Sequence, residues 1–434
     1  MPFPNSQALH DRARAVMPGG NTRSSVFERP FPIYFTSGSG AYVRDADGNE
    51  YLDLINNFTT LIHGHCHPAV VHAVTRQVAQ GASFGGPTES EIDLAELLCA
   101  RVPWFEQIRF TNTGSEAVMM AIRAARALTG RVKVAKCEGA YHGNYDPVEV
   151  SFDSSPDNWG SNRPHPVAYT RSTPRSVLDQ VVVLPFNDLA VTEALLLEEA
   201  DEIACVLIDP MPARAGLVPA DRNYLQMLRE MTRRKGIIMI SDEVLNFRLG
   251  YRGALSEFGM EADLCAFGKI IGGGLPIGAV AGPSRFMEVF DPSRGKPQVP
   301  HAGTFTANPL SMTAGIATMR ELTPEAFQRL DELGEAARQG LRAMIAHHAV
   351  PAQITGLGSL FQVKMNDRPI RNYRDHYPDA DERARLSSLV SAVRAEGILL
   401  SSTGLAALST PMTNADVERI VAVIGNAAAT TQMR

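Results

Sequence analysis

Ile237-Ile238-Met239-Ile240-Ser241-Asp242-Glu243-Val244 opens as an unbroken apolar run and stops on an acidic pair. A run this short and this apolar reads as a strand buried on both faces. Leu264-Cys265-Ala266-Phe267 repeats the pattern and stops on Gly268-Lys269. Working outward, residues 132–137, 181–184 and 203–208 are runs of the same kind, and 108–111 reads as a short strand. Helical patterns at 115–129, 188–199 and 221–235 fall between them, with Gly130 as the C-terminal glycine of the first. Buried strands alternating with helices predict an α/β fold: a large domain with a mostly parallel sheet covered by helices.

The flanks have a different texture. A helix over 6–15 ends at Pro18-Gly19-Gly20, and strands at 41–45 and 50–54 meet at Asp47-Gly48, a hairpin signal. Residues 67–80 read as a helix with Pro68 in its first turn. Thr88 and Glu91 form a capping-box pattern ahead of a helix over 92–100. Beyond Pro309, helices over 311–322 and 324–347 lead to short strands near 361–365 and 398–401. A last helix over 413–428 is capped by Thr413 and Asp416. This is the pattern of a smaller α+β domain. The expected division is 1–55 as an N-terminal segment packing with the small domain, 56–309 as the large domain and 310–434 as the small one. Residues 144–180 are rich in Ser, Pro and Asn and lack periodicity, which marks a functional loop or lid.

Composition removes several function classes. The 434 residues are 44% hydrophobic and 20% charged, ordinary for a globular chain of two or three domains. Lys+Arg number 41 against 47 Asp+Glu, so there is no basic excess for nucleic acid or a membrane surface. No apolar run approaches a membrane span, and the first twenty residues lack an apolar signal core. The cysteines are five, an odd number, with no CxxC, which points to reduced thiols and a cytoplasmic setting. His63, His65, Cys66 and His67 crowd together, but no second ligand pair has zinc spacing, so no metal is expected. Gly272-Gly273-Gly274 lacks dinucleotide-loop spacing, and Gly268-Lys269 is followed by Ile rather than the Ser or Thr of a P-loop.

Three features at strand ends carry chemistry. Thr111-Asn112-Thr113-Gly114-Ser115-Glu116 closes a strand and opens a helix through small residues. Free N–H groups and the positive end of the helix dipole suit a phosphate there, although an ordinary capped turn reads the same way. Asp242 emerges from an apolar strand, where a carboxylate is costly unless paired or hydrogen-bonded; a helix cap or structural ion pair would also meet that need. Lys269 ends another apolar strand. Burial lowers the pKa of a lysine and makes its amine nucleophilic, whereas the plain alternative is a lysine snorkelling to solvent. A phosphate cradle, a carboxylate and an amine at one sheet edge are together what pyridoxal phosphate requires.

On these residues the sequence resembles the class III, fold-type-I aminotransferases, in the branch that holds glutamate-1-semialdehyde aminomutases and β-amino-acid aminotransferases. The resemblance rests on Gly64-His65-Cys66-His67-Pro68, Thr113-Gly114-Ser115-Glu116-Ala117, Tyr141-His142-Gly143, Asp242-Glu243-Val244, Gly268-Lys269-Ile270-Ile271-Gly272-Gly273-Gly274 and Gly303-Thr304-Phe305, in family order along nearly the whole chain. It implies that Lys269 holds the cofactor aldehyde covalently and that Asp242 pairs with the pyridine nitrogen. Tyr141 would stack on one ring face and Val244 pack on the other. Gly114 and Ser115, with Thr113, would bind the phosphate. Thr304 would reach the phosphate of a neighbouring subunit, which makes a homodimer with sites at the interface the expected assembly.

Three departures favour amino transfer over the aminomutase reaction, which remains the alternative. This chain has Asn21-Thr22-Arg23-Ser24-Ser25 where the aminomutases have roughly Asn-Ser-Pro-Val-Arg. It has Val150-Ser151-Phe152-Asp153-Ser154-Ser155 in place of an Ala-Gly-Ser-Gly lid. It has Asp209-Pro210-Met211-Pro212-Ala213-Arg214 in place of Glu-Pro-Val-x-Gly-Asn. The Asn-Thr-Arg-Ser order is similar to that of β-amino-acid aminotransferases, which would make Arg23 a clamp on the substrate carboxylate. Those enzymes also carry an arginine near the segment written here Ser401-Ser402-Thr403-Gly404-Leu405. None stands there, and Arg214, which could contact cofactor or substrate, is the candidate to compensate.

Overall fold

The computed structural model describes residues 3–431. Its strands, in chain order, are β1 (Phe35–Ser39), β2 (Tyr42–Asp45), β3 (Glu50–Asp53), β4 (Gln107–Thr111), β5 (Lys133–Cys137), β6 (Val181–Leu184), β7 (Ile203–Ile208), β8 (Ile238–Asp242), β9 (Leu264–Gly268), β10 (Gly278–Gly282), β11 (Gln353–Thr355), β12 (Leu360–Lys364), β13 (Ile398–Leu399) and β14 (Leu405–Ala407). The largest sheet runs β4-β10-β9-β8-β7-β5-β6. β5, β6, β7, β8 and β9 pair in parallel, while β10 runs antiparallel to both β4 and β9. β6 to β9 are buried at every residue, as their continuous apolar runs require.

Helices cover both faces of this sheet. The helix Gly114–Thr129 buries Ala117, Val118, Ala121, Ile122, Ala124 and Ala125 against Leu207, Ile240, Leu264 and Val280. Its alanines let the helix approach closely, and Gly130 ends it in the left-handed conformation, as predicted. The other face is covered by Tyr224, Leu225, Leu228 and Met231 of the helix Arg222–Lys235, which pack with Val206, Ile208 and Met239. Each large aliphatic side chain buried this way contributes roughly 1.5–3 kcal/mol.

β10 is absent from the sequence reading. Gly-Ala-Val-Ala-Gly has low strand propensity, but the strand has room for nothing larger at its ends. A Cβ on Gly278 would stand 2.1 Å from the Thr113 carbonyl oxygen, and one on Gly282 2.6 Å from that of Asp263. β1 was also missed, because it is polar and largely exposed.

The N-terminal strands join the C-terminal part of the chain in a sheet ordered β1-β2-β3-β13, with β13 parallel to β3. The hairpin expected at 41–54 is present. Asp45 accepts the N–H groups of Asp47 and Asn49 across the turn at 2.9 and 2.8 Å. Thr413 and Asp416 cap the last helix, Asn414–Thr431, with the Asp416 carboxylate 2.8 Å from Thr413 N and its own N–H 3.3 Å from Thr413 Oγ1.

The capping box at Thr88 and Glu91 does not form. The helix Glu89–Arg101 begins after Thr88, but the Thr88 hydroxyl bonds to Ser90 Oγ at 3.0 Å and caps no N–H. The 144–180 stretch is mostly irregular, as read, and holds two one-turn helices, Asp146–Glu149 and Arg175–Leu178. It is anchored rather than loose. Tyr373 Oη donates to the Ser154 carbonyl at 2.7 Å, and the Arg374 guanidinium donates to the carbonyls of Trp159, Gly160 and Ser161.

Candidate active site

β7, β8 and β9 deliver Asp209, Asp242 and Lys269 to one edge of the sheet, at the carboxyl ends where ligands bind in open α/β folds. The two carboxylates of the acidic pair diverge. That of Asp242 accepts the Val244 N–H at 3.0 Å and His142 Nδ1 at 2.7 Å. Glu243 turns away and accepts the N–H groups of Ala254 and Leu255 at 2.6 and 3.2 Å, opening a helical turn; burial pushes its pKa up to about 7.

His142 is buried, and burial pulls its pKa down against the opposing pull of Asp242. The neutral imidazole donates through Nδ1 to the carboxylate, leaving a buried Nε2 with no partner. The sequence reading placed His142 in a motif without giving it a role. Asp209 was also missed, although it follows the wholly apolar β7 just as Asp242 ends β8. It accepts the Met211 N–H at 2.8 Å and the Asn246 amide. Burial, with the Asp242 charge nearby, raises its pKa to about 8.

Lys269 follows β9 with φ at 50°, a left-handed conformation that is unfavourable for a side-chain-bearing residue by roughly 1–2 kcal/mol. Such positions gather at functional sites. Burial lowers its pKa to about 8 although Asp242 and Asp209 pull it up. Among the described residues its ammonium makes no hydrogen bond.

The helix start beside it is shaped for close approach. A Cβ on Gly114 would stand 2.7 Å from Val244 Cγ1, so only glycine fits. Thr113 Oγ1 accepts the Glu116 N–H at 3.1 Å and Ser115 Oγ accepts that of Asn144 at 3.1 Å. Among the described residues the N–H groups of Gly114 and Ser115 have no partner and are open to an anion. Tyr141 is half exposed, its ring 5.3 Å from that of Phe152.

Lys269, Asp242, Val244, Gly114, Ser115 and Tyr141 thus stand around one sheet edge. The cradle that glycine leaves open, the unpaired amine and the hydrogen-bonded carboxylate fit pyridoxal phosphate. Among the described residues, three predicted residues make no hydrogen bond or ring contact with these six. Thr304 is exposed in a turn. Arg23 is exposed, donates to Asn57 Oδ1 at 3.2 Å and lies 5.5 Å from the Phe58 ring centre. Arg214 pairs with Asp153 at 2.5 Å and stacks 4.2 Å from the Phe152 ring centre. The His63–His67 group does not converge: His63 bonds to Thr410 and the Thr318 carbonyl, and His65 to Asp53.

The family model for class III aminotransferases matches residues 24–420. The chain belongs to the class III aminotransferase family. An ω-transaminase from Sphaerobacter thermophilus is similar in structure, with a TM-score of 0.97 and 49% identity covering 99% of this chain and 98% of that one. The β-phenylalanine transaminase of Variovorax paradoxus is 37% identical over 98% of this chain and 92% of its own. A glutamate-1-semialdehyde 2,1-aminomutase of Chloroflexus aurantiacus is 38% identical over 97% and 95%. This class III aminotransferase is therefore a pyridoxal-phosphate enzyme of fold type I. Among the described residues no helix is long and apolar enough to cross a membrane.

Proposed function

We propose that this class III aminotransferase moves an amino group from an amino acid, with a β-amino acid as the favoured donor, to a 2-oxo acid. The observation that carries the reading is Lys269: a half-buried amine with no hydrogen bond among the described residues, at the sheet edge that also presents Asp242. Pyridoxal phosphate, when bound, supplies an aldehyde for amine exchange and a ring that draws electrons from the carbon losing its proton.

The chain does the rest. The Lys269 amine, with its pKa near 8, would take the proton from the amine-bearing carbon and deliver it to the carbon on the other side of the nitrogen, a 1,3-shift by a base already in place. Asp242, oriented by His142, would pair with the ring nitrogen. The N–H groups of Gly114 and Ser115 would hold the phosphate, with the Thr113 oxygen largely committed to capping. Tyr141 and Val244 would cover the two ring faces. Arg23, fixed by Asn57 and Phe58, clamps the substrate carboxylate, and Arg214 lies beside Tyr141 through Phe152.

A homodimer completes the site by bringing Thr304 to the neighbouring subunit's phosphate; Thr304 and Phe305 are both exposed on one chain. The five cysteines are all free thiols, which supports a cytoplasmic setting, and the grouping of strands into separate sheets supports the proposed division into 1–55, 56–309 and 310–434.

A coupled screen of α-, β- and ω-amines against pyruvate and 2-oxoglutarate tests the reading, with turnover of a β-amino acid as the expected result. The second reading is the aminomutase, favoured by the Chloroflexus relative. Conversion of glutamate 1-semialdehyde alone to 5-aminolevulinate would establish it and remove the transaminase proposal.

A further inference from the structure

One arginine ties the C-terminal part of the chain to the side of the site that carries Tyr141. Arg374 stands in the one-turn helix Tyr373–His376. Its Nε and Nη2 donate to the two oxygens of the Glu138 carboxylate at 2.7 and 3.3 Å, and Glu138 is 2% exposed. Nη1 donates to the carbonyls of Gly160 and Ser161 at 2.9 and 2.8 Å, and Nη2 to that of Trp159 at 2.7 Å. The guanidinium also lies 5.0 Å from the Trp159 ring centre. Every N–H of the guanidinium is thus used, an arrangement that the point charge of a lysine could not reproduce.

The groups it holds lead to the reacting side. Glu138 follows β5 and shortly precedes Tyr141. Gly139, between them, donates its N–H to the Ser151 carbonyl at 2.8 Å. Phe152 comes next in the chain, and its ring meets that of Tyr141. Ser154 is held twice: its hydroxyl donates to Glu138 at 3.1 Å, and its carbonyl accepts Tyr373 Oη at 2.7 Å. Tyr373 packs so closely that a Cβ on Gly139 would stand 2.0 Å from its ring. Without Arg374 the buried Glu138 carboxylate would keep, among the described residues, only the Ser154 hydroxyl. A buried charge that loses its partner is strongly destabilising where it stands, so the segment around it would open.

We propose that Arg374 is a positioning residue for the Tyr141 side of the site: it clamps residues 138–161 to the C-terminal part of the chain, so that Tyr141 and Phe152 stand as a fixed wall rather than on a lid that opens. It acts on the two rings through Glu138 and Ser154. The inference rests on the assignment of Tyr141 to one ring face of the bound cofactor, and its test needs no turnover.

The test uses the holoenzyme and two readings. Hydrogen exchange followed by mass spectrometry reports the wall. Visible circular dichroism, per bound cofactor, reports the placement of Tyr141, because a cofactor takes its ellipticity from the asymmetric groups around it. In Arg374→Met, peptides within 145–161 exchange faster by about tenfold or more, the mark of a segment that opens locally. Peptides of β8 and β9 exchange as before, and the visible band keeps its absorbance but loses most of its ellipticity. Tyr373→Phe, which keeps the buried ring and removes one hydrogen bond, moves both readings the same way by less; it decides the matter if Arg374→Met does not fold. Unchanged exchange in the variants overturns the clamp. Faster exchange with unchanged ellipticity overturns the positioning of Tyr141. An unaltered enzyme with no visible band refutes the cofactor assignment instead, and the exchange rates alone then decide the clamp.

Discussion

Lys269 unites two features that a stable core avoids: a half-buried amine with no hydrogen bond among the described residues and a left-handed backbone. The account assigns both to chemistry. Replacing Lys269 with Ala is expected to lower turnover by about 10²–10⁴-fold, the range for loss of a positioned base, while the melting temperature holds or rises. A Lys269→Ala enzyme of near-normal turnover would remove the base from the mechanism. Asp209 gives a prediction about pH. Its folded-state pKa, near 8, lies above its ordinary value of 3.8, so between those values the folded protein holds a proton that the unfolded chain has released. Its contribution to stability is complete below pH 4 and is lost as pH rises through 8. Melts of the cofactor-free protein from pH 4 to 8 should therefore fall less steeply for Asp209→Asn than for the unaltered chain; parallel curves would contradict the assignment. Lys269 and Asp242 were legible in the sequence because each ends an apolar strand on a charge. Asp209 carried the same signal after β7. His142 did not, since its value lies in a contact a hundred residues away that no local pattern encodes.

At the scale of elements, the helix Gly114–Thr129 holds the site together through its first turn. Gly114→Ala drives a methyl group to 2.7 Å from Val244 Cγ1, which displaces the side chain proposed to cover one ring face. The expected result is cofactor affinity reduced by about tenfold or more, the 1–3 kcal/mol of an overpacked contact, with the helix intact by circular dichroism. Unchanged affinity would show that Val244 yields freely. The buried strands and most helices could be read from the sequence because burial on two faces leaves a continuous apolar run, and one-sided burial a helical period. β10 could not, because its residues are set by the carbonyls of Thr113 and Asp263 pressing on its glycines rather than by propensity. The Thr88 cap failed for a local reason, Ser90 having taken the hydroxyl that Glu91 was expected to meet.

Across the whole molecule, Arg248 joins distant parts of the chain. Buried, and with no carboxylate partner among the described residues, it donates to the Thr59 carbonyl at 2.8 Å, to Ser359 Oγ at 3.0 Å and to the Leu408 carbonyl, and burial lowers its pKa to about 9. Thr59 ends a run of four residues, Asn56 to Thr59, all with positive φ, and Arg23 rests on the middle two. Arg248→Met leaves two buried carbonyls unpaired, at about 1–3 kcal/mol each. Thermal denaturation should show a lower melting temperature together with a raised KM for the amino donor, as the platform under Arg23 loosens. A fall in stability with no change in KM would separate Arg23 from that platform. None of this was visible in the sequence, since an arginine in a helical turn carries no mark of the carbonyls it will meet.

The bond assigned between Lys269 and the cofactor is covalent, and chemical reduction exposes it. Borohydride treatment of the purified holoenzyme, followed by peptide mapping by mass spectrometry, should abolish the visible absorbance band and place the reduced cofactor on the peptide containing Lys269 and on no other. A label on a different lysine, or a band that survives reduction, would contradict the account.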